Sequence, residues 1–260
     1  MQIFKNLYEY RELLKTNVKK DIRGKYKGSF LGVLWSFLNP LLQVVVYAIV
    51  FPYLMRGAEI ENYVVYLVTG IIPWTFFSTV VGIGTTSIKS NQGIIKKVYF
   101  PREILIISQV ISGLVNFFIS CVIILIFCIG FGVGISIHLI MIPIIAVIQA
   151  VFALGLVFIT SSINVYIQDL EYIVSFILNM VFYGTPIIYQ LSQFSSAGIL
   201  YNLIQINPMT PLMNAYRDAF LYHQWPDALG LIYVAGLGFI VLLIGYFVFK
   251  KLEKGFAEQL

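Results

Sequence analysis

Six stretches of this chain are apolar enough and long enough to cross a bilayer as helix, which leaves few folds open to it. They run near 30–55, 63–86, 104–130, 138–164, 171–190 and 229–249. A hydrocarbon core about 30 Å thick asks for roughly 20 apolar residues in helix. Inside it every backbone N–H and C=O must be bonded by protein, so such stretches become helices. Of the 260 residues 59% are hydrophobic and 11% charged, against roughly 25% charged in a soluble domain. The expected fold class is an all-α integral membrane protein, residues 1–260 forming one domain with six transmembrane helices. A net charge of +5 would suggest nucleic acid as partner of a soluble chain. Here the bias of basic residues toward cytoplasmic loops accounts for it, and no nucleic acid is expected.

Residues 2–27 precede the first stretch. Phe4, Leu7, Leu14, Val18 and Ile22 recur at helical spacing, with Lys5, Lys15, Lys19, Lys20 and Arg23 on the other faces. This is an amphipathic interface helix, too polar to span, that lies among membrane lipid headgroups. It has no apolar core of signal-peptide type, so targeting falls to the first span. Eight basic residues lie before that span; Lys89, Lys96, Lys97 and Arg102 follow the second, and Lys250, Lys251 and Lys254 follow the last. Together they make fifteen of the 17 Lys and Arg, so both termini are expected in the cytoplasm. Arg56 and Arg217 alone fall in loops on the other side. The short loop Gln168–Glu171, also cytoplasmic, carries Asp169 and Glu171 instead of bases. Pro40, Pro73 and Pro143 fall within spans and are expected to bend their helices. Cys121 and Cys128 share a helical face too far apart to bond, and read as small buried hydrophobes.

The segment 191–228 is too long for a simple turn. Thr210 is placed to cap a helix with Pro211 in its first turn, and Leu212, Tyr216, Ala219 and Phe220 make one apolar face. Two short re-entrant helices on the extracytoplasmic side are expected. They form a gate whose candidate residues are Asn207, Pro208, Pro211, Tyr216 and Arg217.

None of the twelve acids falls at the middle of a span, where an ion-coupled carrier needs one. His138 and His223 fall near the outer surface. There is no cluster with metal-ligand spacing and no phosphate-binding loop; GKYKGS at 24–29 lacks the spacing for one. No carboxylate pair suggests a membrane enzyme such as a glycosyltransferase, and a proton-driven flippase is disfavoured for want of a mid-membrane acid. The chain is therefore expected to be no enzyme, with no catalytic residue, metal or cofactor of its own. Uphill movement then draws on another subunit, and the basic loop 87–103 is where a separate ATPase grips. With 17 Tyr, 21 Phe and 3 Trp, most rings are core packing or interfacial belts. Some can line a passage, where their faces stack on sugars. The candidates are Trp35 and Phe37 in the first span, Trp74 and Phe77 in the second, and Phe182, Tyr183 and Tyr189 in the fifth.

Four stretches carry a resemblance: RGKYKGSFLGVLWSFLNPLLQ (23–43), GIIPWTFFSTV with SIKSNQGIIKKVYFPREIL (70–80 and 87–105), QDLEYIVSFILNMVFYGTPIIY (168–189) and INPMTPLMNAYRDAFL (206–221). In these the chain resembles the membrane subunit of ABC-2 type polysaccharide exporters, the O-antigen and teichoic acid permeases. The resemblance implies a homodimer with two copies of a cytoplasmic ABC ATPase that holds the ATP and Mg. It implies export of a lipid-linked polysaccharide across the bacterial plasma (inner) membrane. It makes Asn91, Gln92, Gly93 and Lys96 coupling positions that dock into the ATPase, with Lys89 and Lys97 beside them. It sets Arg23, Lys25 and Lys27 near the cytoplasmic entrance, where a lipid diphosphate is attracted. The alternative on the same scaffold is an ABC-2 type drug or antibiotic efflux permease.

Overall fold

Helix α4 (Tyr63–Ser90) is the axis about which the other helices are arranged. The structure is a computed structural model and describes residues 2–24, 35–54, 60–194 and 198–260. Every regular element among them is helical. The N-terminal amphipathic stretch forms α1 (Gln2–Glu9) and α2 (Arg11–Gly24), which meet at Tyr10. Helical bonding continues through the joint: Tyr10 N–H donates to Asn6 O at 2.9 Å and Leu14 N–H to Tyr10 O at 3.0 Å. The six apolar stretches become α3 (Trp35–Leu54), α4, α6 (Glu103–Gly130), α7 (Ile142–Tyr166), α8 (Leu170–Tyr183) and α11 (Ala228–Leu252). Short helices fill the connections: α5 (Gln92–Ile95), α9 (Ile199–Ile206) and α10 (Met209–Arg217), with α12 (Phe256–Gln259) at the end.

Four of these regions are long and apolar enough to cross a membrane: Tyr63–Ile95, Glu103–Gly130, Ile137–Tyr166 and Ala228–Gly255. Within the described side chains, Leu38–Phe51 of α3 and Leu170–Tyr183 are further apolar stretches of helix. Two expectations are corrected. The fifth stretch leaves the helix at Gly184, well before 190, because Pro186 has no N–H to donate and pushes Thr185 out of helical geometry. Pro143 bends nothing, since α7 begins at Ile142 and a first-turn proline lacks only an N–H that has no partner there.

Burial separates the helices. The apolar window of α4 is 78% enclosed by protein and that of α11 only 22%, so α4 is largely enclosed while α11 turns Ile232, Phe239, Leu243 and Phe247 outward. Such a surface is tolerable in lipid and aggregates in water. Helix α7 holds α11 through glycines. A Cβ on Gly155 would sit 2.6 Å from Leu242 N and 2.7 Å from Val241 C, so only hydrogen allows these backbones to approach so closely.

Three distant parts of the chain meet at one end of the bundle. Glu103 is fully buried at the start of α6 and accepts from Asn6 Nδ2 of α1 at 2.8 Å and from Lys250 Nζ of α11 at 2.8 Å. Lys250 also donates to Glu253 at 2.8 Å, and Arg102 donates to the Glu253 carbonyl. The N-terminal helices, the 91–102 loop and the C-terminus are thus tied to one another.

Candidate functional site

Between α8 and the 3₁₀ turn Leu191–Phe194 the backbone of residues 184–190 is not regular helix, although Thr185 and Ile187–Tyr189 are buried. Its carbonyls therefore need bonds from elsewhere. Side chains supply them from two directions. From α4, Tyr63 Oη donates to Ile188 O at 2.9 Å and Tyr66 Oη to Tyr189 O at 2.6 Å. From α10, Arg217 Nη1 donates to Pro186 O at 2.6 Å and Nη2 to Ile187 O at 2.9 Å. Asn207 Nδ2 donates to Gly184 O at 3.0 Å.

Arg217 is the keystone. It is 1% exposed, with its guanidinium carbon 3.5 Å from the centre of the Tyr66 ring. Among the described residues it forms no salt bridge; the carbonyl dipoles and the ring face stabilise its charge. Burial pulls its pKa below the ordinary guanidinium value. Gly70 makes the space, since a Cβ there would lie 2.9 Å from Nη2. The expected loop position of Arg217 is thereby corrected. It ends α10 facing inward, because the carbonyls of 186–187 need its fork of donors.

The gate candidates come together around this turn. Asn207 also accepts from Met209 N at 3.0 Å and donates to Thr185 Oγ1 at 2.9 Å. Helix α10 therefore starts at Met209 with Pro208 at its cap, and the expected cap at Thr210 is corrected: its hydroxyl donates back to Ile204 O at 2.6 Å. Pro211 packs toward Gly230 of α11. Tyr216 is fully buried and donates to Gln149 Oε1 at 2.8 Å, and Gln149 Nε2 donates to Pro73 O at 3.0 Å. A polar chain thus runs from α10 through α7 to the proline of α4.

The aromatic candidates divide. Trp74 sits 5.7 Å from Phe77 and 5.6 Å from Phe182, and Phe77 stacks on Phe152 at 5.8 Å. These candidate rings pack on one another and are buried. Tyr189 is also buried, its hydroxyl donating to Tyr183 O at 2.9 Å. Trp35 and Tyr183 are exposed. Of Arg23 and Phe37 only the backbone is described, and Lys25 and Lys27 lie outside the described residues.

At the other end of α4 the basic loop is open. Asn91 Nδ2 donates to Ser87 O at 2.8 Å and ends α4. Helix α5 then turns on Ile95, which is buried, and the loop is held again at buried Phe100. Around these anchors Gln92, Gly93, Lys96 and Lys97 are exposed, with Lys89 half-buried beside them. A Cβ on Gly93 would meet nothing within 4 Å. Ile94, Val98 and Tyr99 are exposed as well, Tyr99 at 94%. Sequence reasoning saw the bases here and missed these apolar side chains. It also missed Tyr66, Gln149 and Glu103, whose roles rest on partners far away in the chain.

A bundle of long apolar helices with an apolar exterior and a buried, side-chain-bonded turn defines a multi-pass membrane protein. The chain belongs to the ABC-2 type transporter family, whose model matches residues 12–221. It is 35% identical over 260 residues to the O-antigen export system permease protein RfbA of Myxococcus xanthus, covering all of both chains. To RfbA of Klebsiella pneumoniae it is 34% identical over 257 residues, 98% of this chain and 97% of that one. To the polysialic acid transport protein KpsM of Escherichia coli it is 20% identical over 240 residues, 90% and 91% of the two chains.

Proposed function

We propose that this chain is the membrane permease subunit of an ATP-binding-cassette exporter that moves a lipid-linked polysaccharide out of the cytoplasm. The observation that carries the reading is the match to the O-antigen export permeases, at 33% identity or more, along essentially the full length of this chain. It runs through both the pinned turn and the open loop. The chain lies in the bacterial plasma membrane with both termini in the cytoplasm, and α3, α4, α6, α7, α8 and α11 serve as its six spans. Helices α9 and α10 are the re-entrant gate on the far side. Two copies pair through the exposed faces of α3 and α8, where Leu42, Val45 and Ile49 and Tyr172, Phe176 and Tyr183 turn outward. The glycan slides between the copies, with Trp35 and Tyr183 as the rings free to meet it. Arg23, Lys25 and Lys27 attract the lipid diphosphate at the entrance.

ATP is bound and hydrolysed on two copies of a cytoplasmic ABC ATPase. Closure of the ATPases pushes residues 89–97. The push passes along α4 toward the gate, and through Arg102 and Glu103 to α1 and α11. The exposed mixture of Lys96, Lys97, Ile94 and Tyr99 suits a docking surface, with bases to steer and apolar side chains to bury. The test is Gly93→Trp combined with Lys96→Glu. The free chain has room at Gly93, so the variant should fold normally and still lose glycan export and permease-stimulated ATP hydrolysis. Unchanged coupling in this variant would overturn the docking assignment.

A further inference from the structure

A cavity of about 710 Å³ opens between α2, α3, α4 and α6, within the size range of small-molecule sites. Its wall is unlike the rest of the apolar bundle. Gln109, Ser112, Asn116 and Ser120 follow one another at helical spacing along α6 and face Thr75 and Thr79 of α4 across it. Polar side chains in a membrane-spanning helix are costly unless bonded. Yet the side chains of Asn39, Thr79, Gln109, Asn116 and Ser120 make no hydrogen bond within the described residues. Rings stand beside them: Phe76 and Phe117, 5.1 Å apart, and Trp35.

A second cavity of about 250 Å³ shares Lys20, Asp21, Ile83 and Gln109 with the first and reaches Asn91 at the head of the open loop. Ser87 Oγ and Asn17 Nδ2, both in its wall, are buried without a partner among the described residues. The unspent donors and acceptors thus continue from the middle of α6 to the loop. Among the described residues the charged side chains of the lining are Lys20 and Asp21, of opposite sign. Amides and hydroxyls beside aromatic faces suit a neutral polyhydroxylated ligand.

We infer that this groove is a carbohydrate-binding site that takes a sugar unit of the exported glycan within one copy of the chain, beside the path between copies. The inference rests on the export reading. Because the groove ends at Asn91, a sugar held in it lies against the base of the loop assigned to ATPase docking, so occupancy can be sensed there.

The test is photo-crosslinking of the full chain with its ATPase, in cells making the surface polysaccharide. A benzoylphenylalanine replaces Asn116 or Ser120 in the groove, Phe176 on the exposed face of α8, or Ile240 on the outward face of α11. Adducts are read by periodate–Schiff staining for sugar. Carbohydrate adducts at 116 and 120 are expected well above those at 240, falling about tenfold when Gln109→Leu removes hydrogen bonds to the ligand. Thr79, on the facing wall, serves as the probe position if the Asn116 variant does not accumulate. Sugar at 176 with none at 79, 116 or 120 would overturn the groove and leave the export reading standing. Sugar at no position would sink the export reading as well. Adducts at 116 that contain phospholipid without sugar, or a second copy of the chain, would overturn the groove by giving it another occupant.

Discussion

The two ends of α4 solve opposite problems. At the 184–189 turn every exposed possibility has been closed. Carbonyls from Gly184, Pro186, Ile187, Ile188 and Tyr189 accept from Asn207, Arg217, Tyr63 and Tyr66. At residues 92–99 most side chains point away from the chain, and Gly93 touches nothing that would exclude a larger residue. The first region is specified from within and the second from without. A residue whose contacts are all internal acts on stability, and a residue with none leaves stability nearly unchanged and, in the proposed docking reading, acts through a partner.

The sharpest way to break that comparison is to attack the interior. Gly245 of α11 lies against the Gly155 backbone, and Gly245→Leu should prevent the α7–α11 pair from closing. Folded protein recovered in detergent should fall to near nothing, because the obstacle is backbone and cannot rotate away. Next comes Arg217→Leu, which strands the buried carbonyls of Pro186 and Ile187; a loss of about 3 kcal/mol or more is expected as a lowered Tm. Arg217→Lys should recover only part of it, since a point charge cannot bond two carbonyls as a fork does.

Glu103→Gln tests the knot at the loop's downstream anchor. It keeps the Asn6 bond and removes the charge facing Lys250, whose own head is 33% exposed. A loss of about 1–2 kcal/mol is expected after allowing for that exposure. Smallest in its effect on folding is Tyr99→Ala, which should leave Tm unchanged within about 0.5 kcal/mol. It should still weaken association with the ATPase by roughly tenfold, measured by pull-down at graded concentrations. A Tm loss at Tyr99 as large as that at Arg217 would end the distinction between the two regions.

Local signals were legible and long-range ones were not. The apolar stretches near 104–130 and 229–249 return as the helices Glu103–Gly130 and Ala228–Leu252 because hydropathy is read residue by residue. The two short helices before α11 were visible in Pro208, Pro211 and the apolar face around Tyr216. Nothing local marks Arg217 as turned inward from an extracytoplasmic segment. Its burial depends on Tyr66, Gly70 and Pro186, none of them near it in sequence. Trp74 and Phe77 carry no local mark of direction, and only packing on Phe182 and Phe152 shows them turned inward. The stripe of Gln109, Ser112, Asn116 and Ser120 was present at helical spacing but is uncharged, so it barely perturbs the hydropathy of α6.

ATP-driven movement of lipid-linked glycan in reconstituted vesicles tests the division between conduit and motor most directly. Vesicles holding this chain together with its ABC ATPase should move glycan, and Gly93→Trp with Lys96→Glu should cut the rate by roughly tenfold or more while the chain stays folded. Glycan movement by this chain with no ATPase present, or at full rate in the doubly substituted complex, would contradict the account.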